Sequence, residues 1–201
     1  LNDGQVEAGA LAIGTESLAL TQGPPGTGKT RLLAAVVAAL CGKTCRVALC
    51  AYTHRAVDNA LLAIRKLAPD LPLYKLSSSS SDGKQQLRAA GVYAADARRG
   101  RFPERGCVVA GTCYQLAKLH ERERFHYTVF DEAGQLPIPH ALPGMLRSDR
   151  WLFFGDHRQL PPVVTTGEAD RGASMSIFEH LHEHYGSALL DTTYRMNEGV
   201  C

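Results

Sequence analysis

Short apolar runs and longer helical patterns alternate along the 201 residues of this chain. Ser17–Thr21 (SLALT) reads as a strand entering a Gly/Pro loop, and Lys29–Leu40 follows as an apolar helix. Cys45–Ala51 (CRVALCA) repeats the strand pattern, and Ala56–Leu67 that of an amphipathic helix. Val108–Ala110, Tyr127–Phe130 and Trp151–Phe154 are further apolar runs, each separated from the next by a helical or loop segment. Near the end, Ile177, Phe178 and Leu181 mark the apolar side of another amphipathic helix. Strands that are apolar at every position are buried on both faces. Joined by helices, they predict an α/β fold, a parallel sheet with helices on both faces. Ligands of such sheets bind beyond the carboxyl ends of the strands, so the residues just after each strand carry the candidate chemistry.

One segment breaks the alternation. Between Leu76 and Arg105 the chain reads SSSSSDG and then QQLRAAGVYAADARRGRFPER. From Lys84 to Arg105, six basic residues (Lys84, Arg88, Arg98, Arg99, Arg101 and Arg105) outweigh two acidic ones, Asp96 and Glu104. The pattern predicts a basic segment inserted at about 76–106, an excursion from the sheet. Two readings stand for it, a solvated loop and a surface facing nucleic acid.

Bulk composition changes little. A net charge of +2 is too mild to signal nucleic-acid binding by itself, so any such role must come from local residues. The longest apolar run, Leu32–Cys41, is about half a membrane span, which predicts a buried helix and no membrane partner. No signal peptide is legible, and the expected location is the cytoplasm, or the nucleus in a eukaryote. Cys41, Cys45, Cys50, Cys107, Cys113 and Cys201 form no CxxC pair and read as small buried thiols. The chain begins at Leu1 and stops after a motif-like stretch, as expected of a piece of a longer protein.

The first chemistry lies after the first strand. Gly23, Pro24, Pro25, Gly26, Thr27, Gly28, Lys29 and Thr30 spell GPPGTGKT, which satisfies G-x-x-x-x-G-K-[ST] at every defined position. Glycines let successive backbone N–H groups turn inward toward phosphate oxygens, and the following helix adds the positive end of its dipole. Lys29 can reach the β- and γ-phosphates, and the Thr30 hydroxyl can ligate Mg²⁺. A second Gly-Lys-Thr at 42–44 lacks the upstream glycine, because position 37 is Val37, and it predicts a turn that ends the helix.

A P-loop alone specifies only a nucleoside triphosphate. The strand Tyr127–Phe130 then delivers Asp131 and Glu132 side by side in DEAGQ. Asp131 is placed to hold Mg²⁺ and Glu132 to polarise an attacking water as general base. Two acids beside a triphosphate repel it unless a divalent cation lies between them. A third strand, Trp151–Phe154, runs into GDHRQLPPVV, where Gln159 has an amide that can donate to phosphate and accept from water. Pro161 and Pro162 stiffen its exit. His180, His182 and His184 tempt a metal reading, but an amphipathic helix accounts for them, and no metal other than Mg²⁺ is expected.

Taken in order, GPPGTGKT, DEAGQ, GDHRQLPP and YRMN resemble the motifs of superfamily 1 helicases. The nearer likeness is to the Upf-like branch, which includes the nonsense-mediated-decay helicase and the nuclease-helicases of DNA replication. The resemblance implies a RecA-like P-loop NTPase domain that binds and hydrolyses ATP with Mg²⁺ and acts on single-stranded DNA or RNA. It implies that Gln5 reads the adenine edge, that Tyr194 stacks on adenine, and that Arg195 meets the γ-phosphate. It implies that Thr53 and Thr112 hold a nucleic-acid backbone. The catalytic set so expected is Lys29, Asp131, Glu132, Gln159 and Arg195. Residues 1–192 would form the first RecA-like domain and 193–201 the start of a hinge to a second, its partner in the parent chain. Alone, such a piece is expected to bind nucleotide and to be weakly active. The alternatives are a nucleotide-dependent switch or scaffold that does not unwind, and a P-loop kinase.

Overall fold

The computed structural model describes residues 1–76, 84–159 and 175–194. Its strands are β1 (Leu18–Gln22), β2 (Arg46–Ala51), β3 (Leu73–Leu76), β4 (Tyr93–Ala95), β5 (Cys107–Thr112), β6 (Tyr127–Asp131), β7 (Trp151–Gly155) and β8 (Ala188–Leu189). They form one sheet in the order β4-β3-β5-β2-β6-β7-β1-β8, and every pairing is parallel. The helices are α1 (Asp3–Gly14), α2 (Lys29–Gly42), α3 (His54–Leu67), α4 (Lys84–Ala89), α5 (Cys113–Leu116), α6 (Ile138–Met145) and α7 (Ile177–Tyr185). A 3₁₀ turn covers Ala133–Gln135.

Strand residues divide between two cores by the two-residue period of the pleat. Val47, Leu49, Val129, Leu152 and Phe154 pack with α1, α2 and α3 on one face. Ala48, Cys50, Phe130 and Phe153 pack with α5, α6 and α7 on the other. Phe130 and Phe153 stack across β6 and β7 with centroids 4.5 Å apart. The sheet buried on both faces is the architecture expected from its unbroken apolar strands.

Local chemistry sets the helix ends. The side chain of Asn2 accepts from Gln5 N (2.8 Å), while Asn2 N donates to Gln5 Oε1 (3.1 Å), closing a capping box on α1. Thr53 Oγ1 accepts from Ala56 N (3.2 Å) at α3, and Ser176 Oγ accepts from Glu179 N (3.0 Å) at α7. Helix α2 ends at the second Gly-Lys-Thr, where Lys43 N donates to Ala39 O (3.2 Å) and Thr44 takes a φ of 67°. Cys41, Cys50, Cys107 and Cys113 are buried free thiols, and desolvation pushes Cys41 up to about 12.

The basic segment differs from its expectation as an excursion. Residues 84–95 form α4 and β4, and β4 pairs with β3 as the edge of the sheet. Tyr74 of β3 stacks on Tyr93 of β4 at 5.4 Å, and Phe102 meets Tyr74 edge-on at the same separation. These aromatic contacts support a pair of strands too short to be legible as strands.

Candidate active site

The strand order decides which loops meet. Strands β1, β7 and β6 are neighbours, so their carboxyl ends bring together the loop at 23–28, the turn at 156–159 and the carboxylate pair. Gly23 N donates to Gly155 O (3.0 Å), tying the P-loop to the end of β7. A cleft of about 550 Å³ opens there, lined by Pro24, Pro25, Gly26, Gly28, Lys29, Thr30, Glu132, Gln159 and Tyr194. That volume suits a ligand of nucleotide size.

Within the loop, Lys29 is buried and its Nζ donates to Gly23 O (2.8 Å). Thr27 Oγ1 donates to Pro24 O (2.8 Å). Gly28 has a φ of +79°, a conformation that favours glycine, and a Cβ there would lie 2.6 Å from Gln5 Nε2 and displace that amide. Gln5 is buried, and its Nε2 donates to Thr27 O (2.9 Å) while Oε1 accepts from Asn2 N. The residue expected at an adenine edge thus bonds the P-loop backbone with one end of its amide and the cap of α1 with the other. At the cleft mouth, Tyr194 is 64% exposed, and its backbone N donates to Gly26 O (2.9 Å).

Asp131 closes β6 and is 2% exposed. Burial raises its carboxyl to about 7, and the neighbouring Glu132 charge adds to the rise. The Glu132 backbone N–H, donating to Oδ1 at 3.0 Å, and the Lys29 ammonium pull the other way and only partly offset it. Glu132 takes a left-handed φ of 52°, which swings it off the strand line and into the cleft. Glu132 therefore lines the cleft, while Asp131 stays buried within reach of the Lys29 charge.

Beyond the paired strands β6 and β7, their ends are packed backbone to backbone. A Cβ on Gly134 would lie 2.4 Å from Asp156 O, and one on Gly155 would lie 2.9 Å from Gly134 N. The turn itself is organised by Asp156, which is buried. Its Oδ1 accepts from Arg158 N (3.1 Å) and Gln22 Nε2 (3.4 Å), and its Oδ2 accepts from Gln159 Nε2 (3.2 Å). Gln159 is thereby held at the cleft by a carboxylate that sequence reasoning did not single out. The signal was present as a Gly-Asp step at a strand end, where an Asx turn is favoured. His157 stacks on His182 of α7 with centroids 4.3 Å apart.

Thr53 and Thr112 lie apart from this cleft, after β2 and β5 on the far side of β6. With strands about 4.8 Å apart, β2 stands roughly 14 Å and β5 roughly 19 Å from β1. Thr53 is exposed at the first turn of α3, whereas Thr112 is buried and its N donates to Gln115 Oε1 (2.9 Å). Arg195 lies outside the described residues. Among the described residues no group of three or more His, Cys, Asp and Glu side chains is arranged to hold a metal ion. Nor is any helix among them long and apolar enough to cross a membrane.

An all-parallel sheet with a P-loop after β1 and paired carboxylates after β6 defines a RecA-like P-loop nucleotide-binding domain. The chain belongs to the AAA domain family, whose model matches residues 1–99 and 74–167. It is 32% identical over 210 residues to the DNA replication ATP-dependent helicase/nuclease dna2 of Schizosaccharomyces pombe, covering 100% of this chain and 15% of that protein. The corresponding Xenopus laevis protein is 32% identical over 209 residues, covering 100% of this chain and 20% of that one. The chain thus spans a fifth or less of these relatives, which fit the Upf-like branch named from its motifs. A solved arterivirus nonstructural protein 10 helicase with DNA shares the fold at a TM-score of 0.57 and 20% identity, over 100% of this chain and 40% of that one. The type ISP restriction-modification enzyme LlaGI shares it at 0.56 and 15% identity, over 85% of this chain and 19% of the other.

Proposed function

We propose that this chain is the ATP-binding and ATP-hydrolysing motor domain of a nucleic-acid helicase or translocase. The observation that carries the reading is the single cleft lined by Lys29, Thr30, Glu132, Gln159 and Tyr194. Phosphate-binding, water-activating and base-stacking groups meet there, each from a different strand end. Lys29 binds the β- and γ-phosphates, with the start of α2 adding its dipole. Glu132 accepts a proton from the attacking water, and Gln159 orients that water or touches the γ-phosphate. Tyr194 stacks on adenine. Arg195 joins the γ-phosphate in this reading, and Gln5 positions the P-loop through Thr27 O.

The donor set fits a magnesium ion. Thr30 and Asp131 offer hard oxygens, and a carboxylate as buried as Asp131, short of positive charge, suits a divalent cation. When bound, the ion neutralises charge on the triphosphate and on the two acids. Residues 1–192 are assigned to this motor domain, and 193–201 to the hinge toward a second RecA-like domain of the same parent chain. A single DNA or RNA strand is assigned to the carboxyl ends of β2 and β5, where Thr53 and Thr112 begin helices.

The test is ATP turnover with and without oligothymidylate and oligouridylate. Turnover that rises with either polymer, and that Glu132→Gln abolishes while nucleotide binding persists, is the expected result. Basal turnover indifferent to both polymers would instead indicate a nucleotide-dependent switch. Failure of Lys29→Ala to impair nucleotide binding would overturn the assignment of the cleft.

A further inference from the structure

Three aromatic rings gather at the carboxyl ends of β2 and β5, beyond the nucleotide cleft. Tyr52 follows β2, Tyr114 lies in α5 directly after β5, and His140 lies in α6. Tyr114 Oη and His140 Nε2 share a hydrogen bond of 2.8 Å. His140 meets the Tyr114 ring edge-on at 5.3 Å and the Tyr52 ring edge-on at 5.7 Å. Tyr114 is nevertheless 55% exposed, while its two supports are half-buried. The core does not use this ring, yet its hydrogen bond and its ring contact with His140 hold it, and Tyr52 packs on His140 in turn. A rigid aromatic face presented to solvent loses little conformational entropy when a flat ligand stacks on it.

The surroundings say which ligand. Residues 48–56, 110–118 and 136–144, which carry the three rings, contain no Asp or Glu. His54, Arg55 and Lys118 are exposed in the same stretches. The first turn of α3, a helix of 14 residues, opens beside Tyr52; Thr53 caps Ala56 N there, and the N–H groups before it have no partner within the helix. Phosphate is favoured at that helix start, and an aromatic face beside it suits the base that the phosphate carries.

We propose that Tyr114, braced by His140 and Tyr52, is a stacking platform for a base of a bound single nucleic-acid strand. The inference rests on the nucleic-acid reading given above and deepens it. Tyr114 touches the base, and His140 is a positioning residue that fixes the tyrosine's hydroxyl. Stacking is tolerant of base identity, so the platform contributes affinity and spacing along the strand, with little sequence preference.

The test is equilibrium binding of the 201-residue chain to fluorescein-labelled oligothymidylate and to the same strand made abasic. Tyr114→Ala is expected to weaken binding to the base-bearing strand on the order of ten-fold and to leave the abasic strand unaffected. Tyr114→Phe keeps the ring and is expected to bind as the parent does, which also guards against a folding defect. Equal weakening on both strands would overturn the platform, since a phosphate contact or a structural effect would then be responsible. Unchanged binding by Tyr114→Ala, with the parent chain still binding, would overturn it alone. Binding of neither strand by the parent chain would overturn the nucleic-acid reading, and the platform with it.

Discussion

Asp131 and Asp156 are both buried carboxylates at strand ends, and their surroundings give them opposite tasks. Asp156 accepts from Arg158 N, Gln22 Nε2 and Gln159 Nε2, so its oxygens are satisfied within the fold. Among the described residues Asp131 accepts from the Glu132 backbone N–H, and its carboxyl is raised to about 7. Such a group costs stability when ionised, a cost that the proposed magnesium ion would offset. Its folded-state value stands above the ordinary 3.8 of the free side chain. The folded chain therefore holds the proton more tightly than the unfolded chain, and stability falls as pH rises from about 4 through 7. Asp131→Asn removes the charge while its amide oxygen still accepts from Glu132 N. Without magnesium at pH 8, the variant is expected to gain roughly 4 kcal/mol over the parent in denaturant unfolding. The gain should shrink toward zero only below about pH 4, where the parent carboxyl is neutral in the folded and the unfolded chain alike. An Asn variant no more stable than its parent at pH 8 would show that Asp131 is already compensated. Sequence pattern delivered both acids to the strand end, but not this contrast. Burial and the number of donors around each oxygen arise only when β6 and β7 lie side by side.

At the scale of elements, the cleft depends on how closely the ends of β6 and β7 approach. Strands β1, β2, β5, β6 and β7 were legible because each is an unbroken apolar run, and α2, α3 and α7 because their periodicity is strong. The elements that escaped have identifiable reasons. Helix α6 carries Pro139 in its first turn and Pro143 inside it, and proline ordinarily argues against a helix. Strands β3 (Leu-Tyr-Lys-Leu) and β4 (Tyr-Ala-Ala) are too short to show a period, and their pairing draws on the Tyr74 stack. Strand β8 is two residues long, below the length at which a period can be read. The approach of β6 to β7 was equally silent in the sequence, since DEAGQ and GDHRQ do not announce that their glycines touch. Gly134→Ala tests it. The added Cβ meets the carbonyl of Asp156 at 2.4 Å, a backbone atom that cannot rotate aside. The turn bearing Gln159 must then move from Glu132, at a cost of roughly 1–3 kcal/mol in stability, the ordinary range for overpacking. Turnover is expected to fall more than nucleotide affinity, because the phosphate cradle lies on β1 and the displaced residues act on water. Equal losses in kcat and in nucleotide affinity would place the strain in the P-loop instead.

Across the whole molecule, one edge of the sheet is partitioned. The nucleotide cleft occupies the ends of β1, β7 and β6, while the ends of β2 and β5 carry Thr53, Thr112 and the aromatic rings. Strand β6 stands between the two regions, with Asp131 paired in register to Ala51 of β2. A change at Glu132 therefore has a path of a single strand to the start of α3. The order of motifs in the chain could not reveal this partition, because strand order in space differs from order in sequence and crossovers decide it. The cleft also joins distant parts of the chain. Leu190 N donates to Gln22 O and Tyr194 N to Gly26 O, so residues beyond β8 are tied to the P-loop on which nucleotide acts. A ligand seated there bridges β1, β6, β7 and the tail at 190–194, and its binding energy should appear in global unfolding. At a hundred-fold excess over its dissociation constant, magnesium-ATP contributes about 2.7 kcal/mol. For a chain of this size the melting temperature is then expected to rise by roughly 5–10 °C. Lys29→Ala should abolish the shift. Magnesium tripolyphosphate, which offers phosphates without a base, should produce a smaller one, and Tyr194→Ala should reduce the ATP shift toward that lower value. A tripolyphosphate shift as large as that of ATP in the parent chain would remove any role for Tyr194 in holding adenine.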